Sequence, residues 1–509
     1  MGNLLLTTIF LPLAGAILLW TSGGRVRHSA LVTVGLTLVS AAVLVAGYPA
    51  GAEVFAEKTL PWLGGWDAPV NIRFSIGLDG LSLWLFALTA LLMVVAVLVS
   101  WESIDRWTTG YYSLLLLLET GMLGVFVARD IILFYVFFEF TLIPLFFLIG
   151  IWGGQERRYA AVKFFLFTLA GSVLTLLGLL AIVLWDSAQS PSSSMTFSIA
   201  ELTGNLRARP MEPRVQMAVF LLLFAGFAIK VPIFPLHTWL PLAHVEAPTA
   251  GSVLLAGVLL KVGTYGLARF ALPMTPAAVA ASMPWLLWLS AIGILYGGLL
   301  ALAQGDVKRL IACSSVSHLG FCTLGMFALN PLGMRGSVLQ MVNHGLSTGG
   351  LFAVVGMLYE RYHTRRIEDL GGLARQVPRL AAFAVVLTLA SIGLPGLNGF
   401  VGEFLVLLGM FQRSRSALPP HLALQYGAIA VLALAPLVVM IVWIGVWPQF
   451  FLDRMTPTLD RLTAGAIRAA QPRLADQRSA PADHRSAGRV AAGLAPRLEN
   501  ARFPRRIPQ

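Results

Sequence analysis

Residues 227–248 read FAIKVPIFPLHTWLPLAHVEAP. Lys230 ends an apolar run and is followed at once by Pro232 and Pro235. A charge and two helix breakers therefore stand where a membrane helix would be continuous. Proline has no amide donor and interrupts the hydrogen-bond ladder of a helix. The carbonyls it frees are costly in lipid, so such a break lines a wet cavity or is buried in protein. The stretch predicts a discontinuous membrane helix that holds Lys230 at its break.

The rest of the chain is as oily as this reading requires. Of 509 residues 57% are hydrophobic and 12% charged, with a mean hydropathy of +0.79; soluble domains carry roughly 25% charged residues. Many apolar runs reach the length needed to cross a hydrocarbon core about 30 Å thick. They predict an all-α, polytopic membrane bundle with spans at 3–20, 29–47, 79–100, 112–129, 131–152, 161–185, 215–243, 248–271, 284–303, 309–328, 337–360, 380–412 and 423–447. The spans at 215–243 and 380–412 are the interrupted ones, the second through LASIGLPGLNGF with Gly393, Pro395, Gly396 and Gly399. Paired interruptions in two halves of a chain mark repeat-built transporters, with the site at the breaks.

Charge gives an orientation. Arg25/Arg27, Arg157/Arg158, Lys308/Arg309 and Arg361/Arg365/Arg366/Arg375/Arg379 all fall on one side of this span count. That side is predicted to be cytoplasmic, with the N-terminus outside. The first span lacks a basic leader and is expected to remain in place. Loops 48–78 and 186–214 would lie outside. From 453 onward Ala, Arg, Pro and Asp dominate, with no membrane-length apolar run. This predicts a membrane domain over 1–452 and a basic, mostly disordered tail over 453–509, with a short helix near 457–470. An odd span count places that tail in the cytoplasm. The net charge of +12 lies in loops and tail, so nucleic acid is not an expected partner. Cys313 and Cys322 both lie in an apolar span, and two thiols alone cannot hold an iron–sulfur cluster or a structural zinc.

An ionisable side chain deep in the membrane costs at least about 2.5–3.5 kcal/mol, so each demands a reason. Glu139 lies in IILFYVFFEFTLIPLFFLIGIW (131–152) and Lys261 in GSVLLAGVLLKVGTYGLARF (251–270). Lys261 is thirteen residues past Pro248, about 20 Å along a helix. Glu403 follows the break GLPGLNGFVGEF (393–404), and His318 and His344 lie in the spans 309–328 and 337–360. Desolvation penalises the charged form of lysine and glutamate and brings their titration toward neutral pH; a neighbouring opposite charge reverses this. A Glu–Lys pair that makes and breaks contact can thus switch a lysine between holding and releasing a proton. A membrane histidine can also simply tie helices together. The run GLPGLNG follows no strand and is no nucleotide fingerprint. No motif for NAD, flavin, haem or a metal is present.

Four stretches resemble the antiporter-like membrane subunits of respiratory complex I: FFEFTLIPLFFLIGIWGGQERRYAAVKFF (137–165), FAIKVPIFPLHTWLPLAHVEAPTAGSVLLAGVLLKVGTYGLAR (227–269), DVKRLIACSSVSHLG (306–320) and GLPGLNGFVGEF (393–404). The resemblance covers about 1–450. Within the family it is nearest the M, or chain-four, branch, because Glu403 stands where the L and N branches carry a lysine. It implies a proton channel built of two inverted five-helix repeats, here about 112–271 and 284–447. Carried over by motif, Glu139 and Lys230 would be the switching pair, Lys261 the central relay and Glu403 the exit-side carrier, with His318 and His344 linking the last two. The chain itself would bind no cofactor. NADH, FMN, iron–sulfur clusters and quinone would belong to partner subunits, and L-like and N-like membrane subunits would be its neighbours in the bilayer.

One departure stands out. The family has a further span between the GEFLVLLGMF helix and the last, whereas here QRSRSALPPHLALQYG leads almost directly into AIAVLALAPLVVMIVWIGVWPQFFLD. Three functions remain in competition: a proton-pumping subunit of NADH:quinone oxidoreductase, a subunit of a sodium/proton antiporter or membrane-bound hydrogenase of the same superfamily, and a structural membrane scaffold. The buried Glu139, Lys230, Lys261 and Glu403 argue against the scaffold.

Overall fold

In the computed structural model, residues 1–63, 70–190, 194–413 and parts of 443–465 are described. Two helices, α1 (Gly2–Leu18) and α2 (Val26–Ala46), precede a hairpin of β1 (Phe55–Leu63) and β2 (Val70–Leu78). Then follow α3 (Leu83–Val99), α4 (Thr108–Val127), α5 (Ile131–Phe140), α6 (Leu142–Trp152) and α7 (Arg157–Gln189). A short β3 (Met195–Thr196) and α8 (Ile199–Ala208) lead into the predicted broken span. That span is α9 (Pro213–Lys230), an irregular stretch over 231–238, and α10 (Trp239–Glu246). The next crossing, 249–274, is α11 (Thr249–Leu254), α12 (Leu260–Gly266) and α13 (Leu272–Met274), joined by π-helical turns at Leu255–Leu259 and Leu267–Ala271. The second half comprises α14 (Pro276–Leu302), α15 (Val307–Phe327), α16 (Pro331–Tyr362), α17 (Leu373–Gln376), α18 (Pro378–Ser391) and α19 (Asn398–Arg413). The second predicted interruption separates α18 from α19. The predicted span 423–447 lies almost wholly outside the described residues.

Ten helical stretches among the described residues are long and apolar enough to cross a membrane, and the shorter α3, α18 and α19 are also apolar. Burial sorts them. The 249–274 crossing is 94% buried and α16 89%, whereas α1, α2 and α14 are 39%, 33% and 28% buried. The crossing that carries Lys261 and the helix that carries His344 are therefore central. Without a hydrophobic drive between helices in lipid, small residues set how closely they approach. A Cβ on Gly345 would come 2.8 Å from the Gly257 carbonyl oxygen. This glycine contact lets α16 lie against the π-helical turn just before Lys261.

The loop 48–78 holds structure that an all-α reading did not anticipate. β1 and β2 pair antiparallel, with Leu60 opposite Phe74, and β3 adds in parallel to β2. The signal is readable in hindsight. Val70, Ile72, Phe74, Ile76 and Leu78 alternate with Asn71, Arg73, Ser75 and Gly77, the period of a half-buried strand.

One end of the bundle gathers the basic loops. Arg27 donates to the Ile104 carbonyl at 2.7 Å, Trp152 to that of Arg106 at 2.9 Å, and Arg365 to that of Val245 at 2.8 Å. At the other end Lys58 donates to Asn3 at 2.6 Å. The segment 456–465, helical where described, also lies at this second end. Arg461 pairs with Glu53 at 2.6 Å, and Thr458 accepts from the Gly80 amide at 3.0 Å. Leu459 is fully buried. These contacts pack the segment 456–465 against the hairpin end. Of the tail expected to be mostly disordered over 453–509, residues 466–509 lie outside the described residues.

Candidate functional site

Glu139 stands at the end of α5, whose start is fixed by Asp130. The Asp130 carboxylate caps the helix by accepting from the Ile132 and Leu133 amides at 2.8 and 3.3 Å, as N-caps do. It also accepts from the Arg73 amide at 3.1 Å, which ties α5 to the hairpin. Burial raises the Asp130 carboxyl to about 6, against the lowering effect of these three amides. The Glu139 side chain is half-buried, and its Oε1 has no hydrogen-bond partner.

Lys230 is the last residue of α9, as the opening motif predicted. Beyond it the chain turns through Pro232 and Pro235, and Trp239 donates its indole N–H to the Ile229 carbonyl at 2.9 Å. This satisfies a carbonyl the break leaves open. The Lys230 ammonium is buried 3.4 Å from the centroid of the Phe138 ring, a cation–π contact. It makes no salt bridge with Glu139, although the two are within electrostatic reach. A cavity of about 20 Å³ opens beside Lys230, walled by Thr141, Thr168, Leu255 and Leu259 among others. That is room for about one water.

Lys261 has no solvent exposure. Its Nζ donates to the Ala256 carbonyl within the π-helical turn and lies 2.5 Å from Nδ1 of His344. Widened turns of this kind recur at functional sites, because they release a carbonyl from the regular ladder. The ring of His344 is 5.4 Å, centroid to centroid, from that of His318 on α15. Nδ1 of His318 is 3.2 Å from Oε1 of Glu403 on α19. Gln340 donates to the same oxygen at 3.0 Å. Gly393, at φ +74°, packs against the other: a Cβ there would sit 2.9 Å from Oε2. The second interruption thus closes around Glu403, as the first closes around Lys230.

The structure brings Lys261, His344, His318 and Glu403 into one line and places Glu139 and Lys230 near each other without contact. Several other buried polar residues escaped the sequence reading. Gln340 and Asn343 belong to a polar stripe on α16, with His344 and Ser347 at helical spacing. His244 is fully buried, stacked on Phe352 at 4.6 Å, with neither ring nitrogen hydrogen bonded. Lys308, read as a loop charge, is buried and donates to the Ala247 and Val245 carbonyls at 2.6 and 3.3 Å. Glu119 on α4 is fully buried with neither carboxylate oxygen hydrogen bonded.

At the hairpin end, Asp79 takes a bidentate contact from Arg269, at 2.6 and 2.9 Å, and a third bond from Arg129 at 3.0 Å. Burial opposes ionisation of Asp79, but the two guanidinium groups outweigh it and hold the carboxyl well below its usual range. This triad pins the 249–274 crossing at its far end and so fixes the depth of Lys261.

A polytopic bundle with two interrupted spans, each closed on a buried charge, defines an ion-translocating membrane subunit. A sequence model described as NADH:quinone oxidoreductase/Mrp antiporter, TM matches residues 128–420. The chain is 39% identical over 510 residues to NADH-quinone oxidoreductase subunit M of Rhodobacter capsulatus, covering 91% of this chain and 96% of that one. It is 38% identical to NADH-ubiquinone oxidoreductase chain 4 of Arabidopsis thaliana, with 89% and 96% covered. Among solved structures it is similar to a chain of respiratory complex I from Thermus thermophilus, at a TM-score of 0.78 and 34% identity over 91% of this chain and 99% of that one. The chain belongs to this family of membrane subunits, on its subunit M/chain 4 branch.

Proposed function

We propose that this chain is the proton-translocating, non-redox subunit of a bacterial NADH:quinone oxidoreductase. It would lie in the inner membrane with Met1 and the hairpin outside and the basic loops in the cytoplasm. NADH, FMN, iron–sulfur clusters and quinone would be held by partner subunits, and L-like and N-like membrane subunits would flank it. One observation carries this reading: Lys261 contacts His344, the His344 ring lies 5.4 Å from that of His318, and His318 contacts Glu403.

The chemistry follows from the contacts. In this arrangement the Lys230 ammonium rests on the Phe138 face, with Glu139 within electrostatic reach but out of contact. Movement of α5 that brings the carboxylate closer favours the ammonium again. A proton released by Lys230 has one water-sized cavity between it and the 249–274 crossing. From Lys261 it passes to His344, whose Nδ1 is in hydrogen-bond range. His318 takes it next and delivers it to Glu403. Gln340 holds the receiving oxygen in place.

The test is NADH-driven proton uptake by inverted vesicles carrying the assembled complex. Lys261→Ala and Glu403→Ala should each abolish most of the uptake while the complex still assembles. Undiminished uptake in both would refute the reading.

A further inference from the structure

The C-terminal end of α10 is where the two halves of the chain hold each other. This helix is only eight residues long (Trp239–Glu246). Pro248 follows it closely and has no amide to extend the ladder. The final carbonyls of a helix have no partners inside it, and here four of them are taken by four different parts of the fold. Ser252 of α11 donates to the His244 carbonyl at 3.0 Å, and the Gly154 amide to that of Glu246 at 2.9 Å. Arg365, beyond α16, donates to that of Val245 at 2.8 Å. Lys308 of α15 donates to those of Val245 and Ala247 at 3.3 and 2.6 Å.

Lys308 is the donor that needs an explanation. It is buried, and it forms no salt bridge among the described residues. A buried charge is costly unless something compensates it. Lys308 is also the second residue of α15, where the positive end of the helix dipole disfavours a cation. The Asp306 carboxylate beside it is engaged in capping that helix, accepting from the Arg309 amide at 3.0 Å. What compensates the ammonium is the C-terminal end of α10, the negative end of a helix dipole. Lys308 thus sits against the preference of its own helix and serves the end of another.

The other end of α10 is tied as firmly. The Trp239 indole donates to the Ile229 carbonyl at 2.9 Å, beside Lys230. His318 stands ten residues beyond Lys308 on α15, about 15 Å along the helix. α10, about 12 Å long, therefore joins the break that holds Lys230 to the foot of the helix that carries His318.

We propose that α10 is a strut that sets the Lys230 site of the first half against His318 of the second, and that Lys308 is the positioning residue at its foot. This rests on the pumping function proposed above. Lys308 acts as a fixed charge and passes no proton. In this it differs from Lys261, so arginine at the two positions gives opposite results.

The assembled complex in inverted vesicles tests this, with proton uptake expressed per assembled complex. Lys308→Met keeps the length of the side chain and removes its charge and donors. It should lower uptake by about tenfold or more, the worth of one hydrogen bond from a charged donor. Lys308→Arg keeps both and should retain most of the uptake, whereas Lys261→Arg does not. If Lys308→Met does not assemble, the neutral but polar Lys308→Gln takes its place and should lose uptake in the same sense. Spin labels on Thr238→Cys and Arg309→Cys, both at exposed positions, read the strut itself; the native Cys313 and Cys322 are buried. One narrow distance is expected with Lys or Arg at 308, and a broad distribution with Met or Gln. Wild-type uptake or an unchanged narrow distance in the neutral variant would overturn the strut, as would an inactive but assembled Lys308→Arg complex. With Lys261→Ala inactive beside them, those results leave the pumping function standing. Wild-type uptake in Lys261→Ala as well would overturn both.

Discussion

Nζ of Lys261 and Nδ1 of His344 stand 2.5 Å apart in a buried site, on two of the most buried crossings among the described residues. Gly257 and Gly345 make this approach possible by letting the two backbones touch. Gly345→Leu should therefore force the crossings apart. We expect assembly to weaken and proton uptake to fall together, while Gly298→Leu, at an open position on α14, changes neither. Native gels and uptake assays on both variants check this.

The absence of a salt bridge between Glu139 and Lys230 makes a sharper expectation possible. Glu139→Ala and Lys230→Ala should each leave assembly largely intact and reduce proton uptake and coupled quinone reduction severely. Glu139→Asp, with the charge on a shorter arm, should be milder. Wild-type uptake by an assembled Glu139→Ala complex would remove Glu139 from the mechanism.

Much of this site was legible before any coordinates, because charge deep in an oily chain is expensive and so rarely accidental. Lys230, Lys261, Glu139 and Glu403 stood out on that ground alone, and the two proline–glycine interruptions marked where helices would break. Partners were harder to read. His244 was in plain view in LPLAHVEAP, but nothing in one sequence says that its ring meets Phe352, over a hundred residues away. Lys308 looked like a topogenic charge because it begins a helix next to Arg309; only packing shows it turned inward onto the Val245 and Ala247 carbonyls. Arg461 reads in the sequence as a sign of sidedness, whereas in the structure it pairs with Glu53.

That tail contact gives a topological prediction. Thiols placed by Glu53→Cys and Asp453→Cys, both at exposed positions, should react with an impermeant reagent from the same side of the membrane in intact cells. Labelling from opposite sides would rule out the Arg461–Glu53 pair.

Gln340 should matter through Glu403 rather than through packing. Gln340→Leu removes the 3.0 Å donor to Oε1 and should lower proton uptake by roughly threefold to tenfold, the worth of one ordinary hydrogen bond, about 0.5–1.5 kcal/mol. Gln340→Asn, too short to reach, should behave like the leucine variant. Full uptake in both would make Gln340 a bystander.

Asp130 predicts a pH dependence outside the membrane. Its folded value, about 6, lies above the ordinary 3.8 because of burial. A carboxyl with a raised folded value contributes stability that is complete below the ordinary value and is lost as pH rises through about 6. Hydrogen exchange of the α5 amides at 132–133, corrected for intrinsic rate, should therefore lose protection between about pH 4 and about pH 6. Asp130→Asn keeps a capping oxygen and removes the titration, and should flatten that slope. An unchanged slope would show that another group controls it.

The central claim is that Lys261 works by giving up its proton, and Lys261→Arg tests it most directly. Arginine keeps the positive charge but does not deprotonate in proteins, its pKa exceeding about 12. NADH-driven proton uptake should be as low in the assembled Lys261→Arg complex as in Lys261→Ala. Near-normal uptake in the arginine variant would contradict the account, because it would show that a fixed charge beside His344 is all the subunit needs.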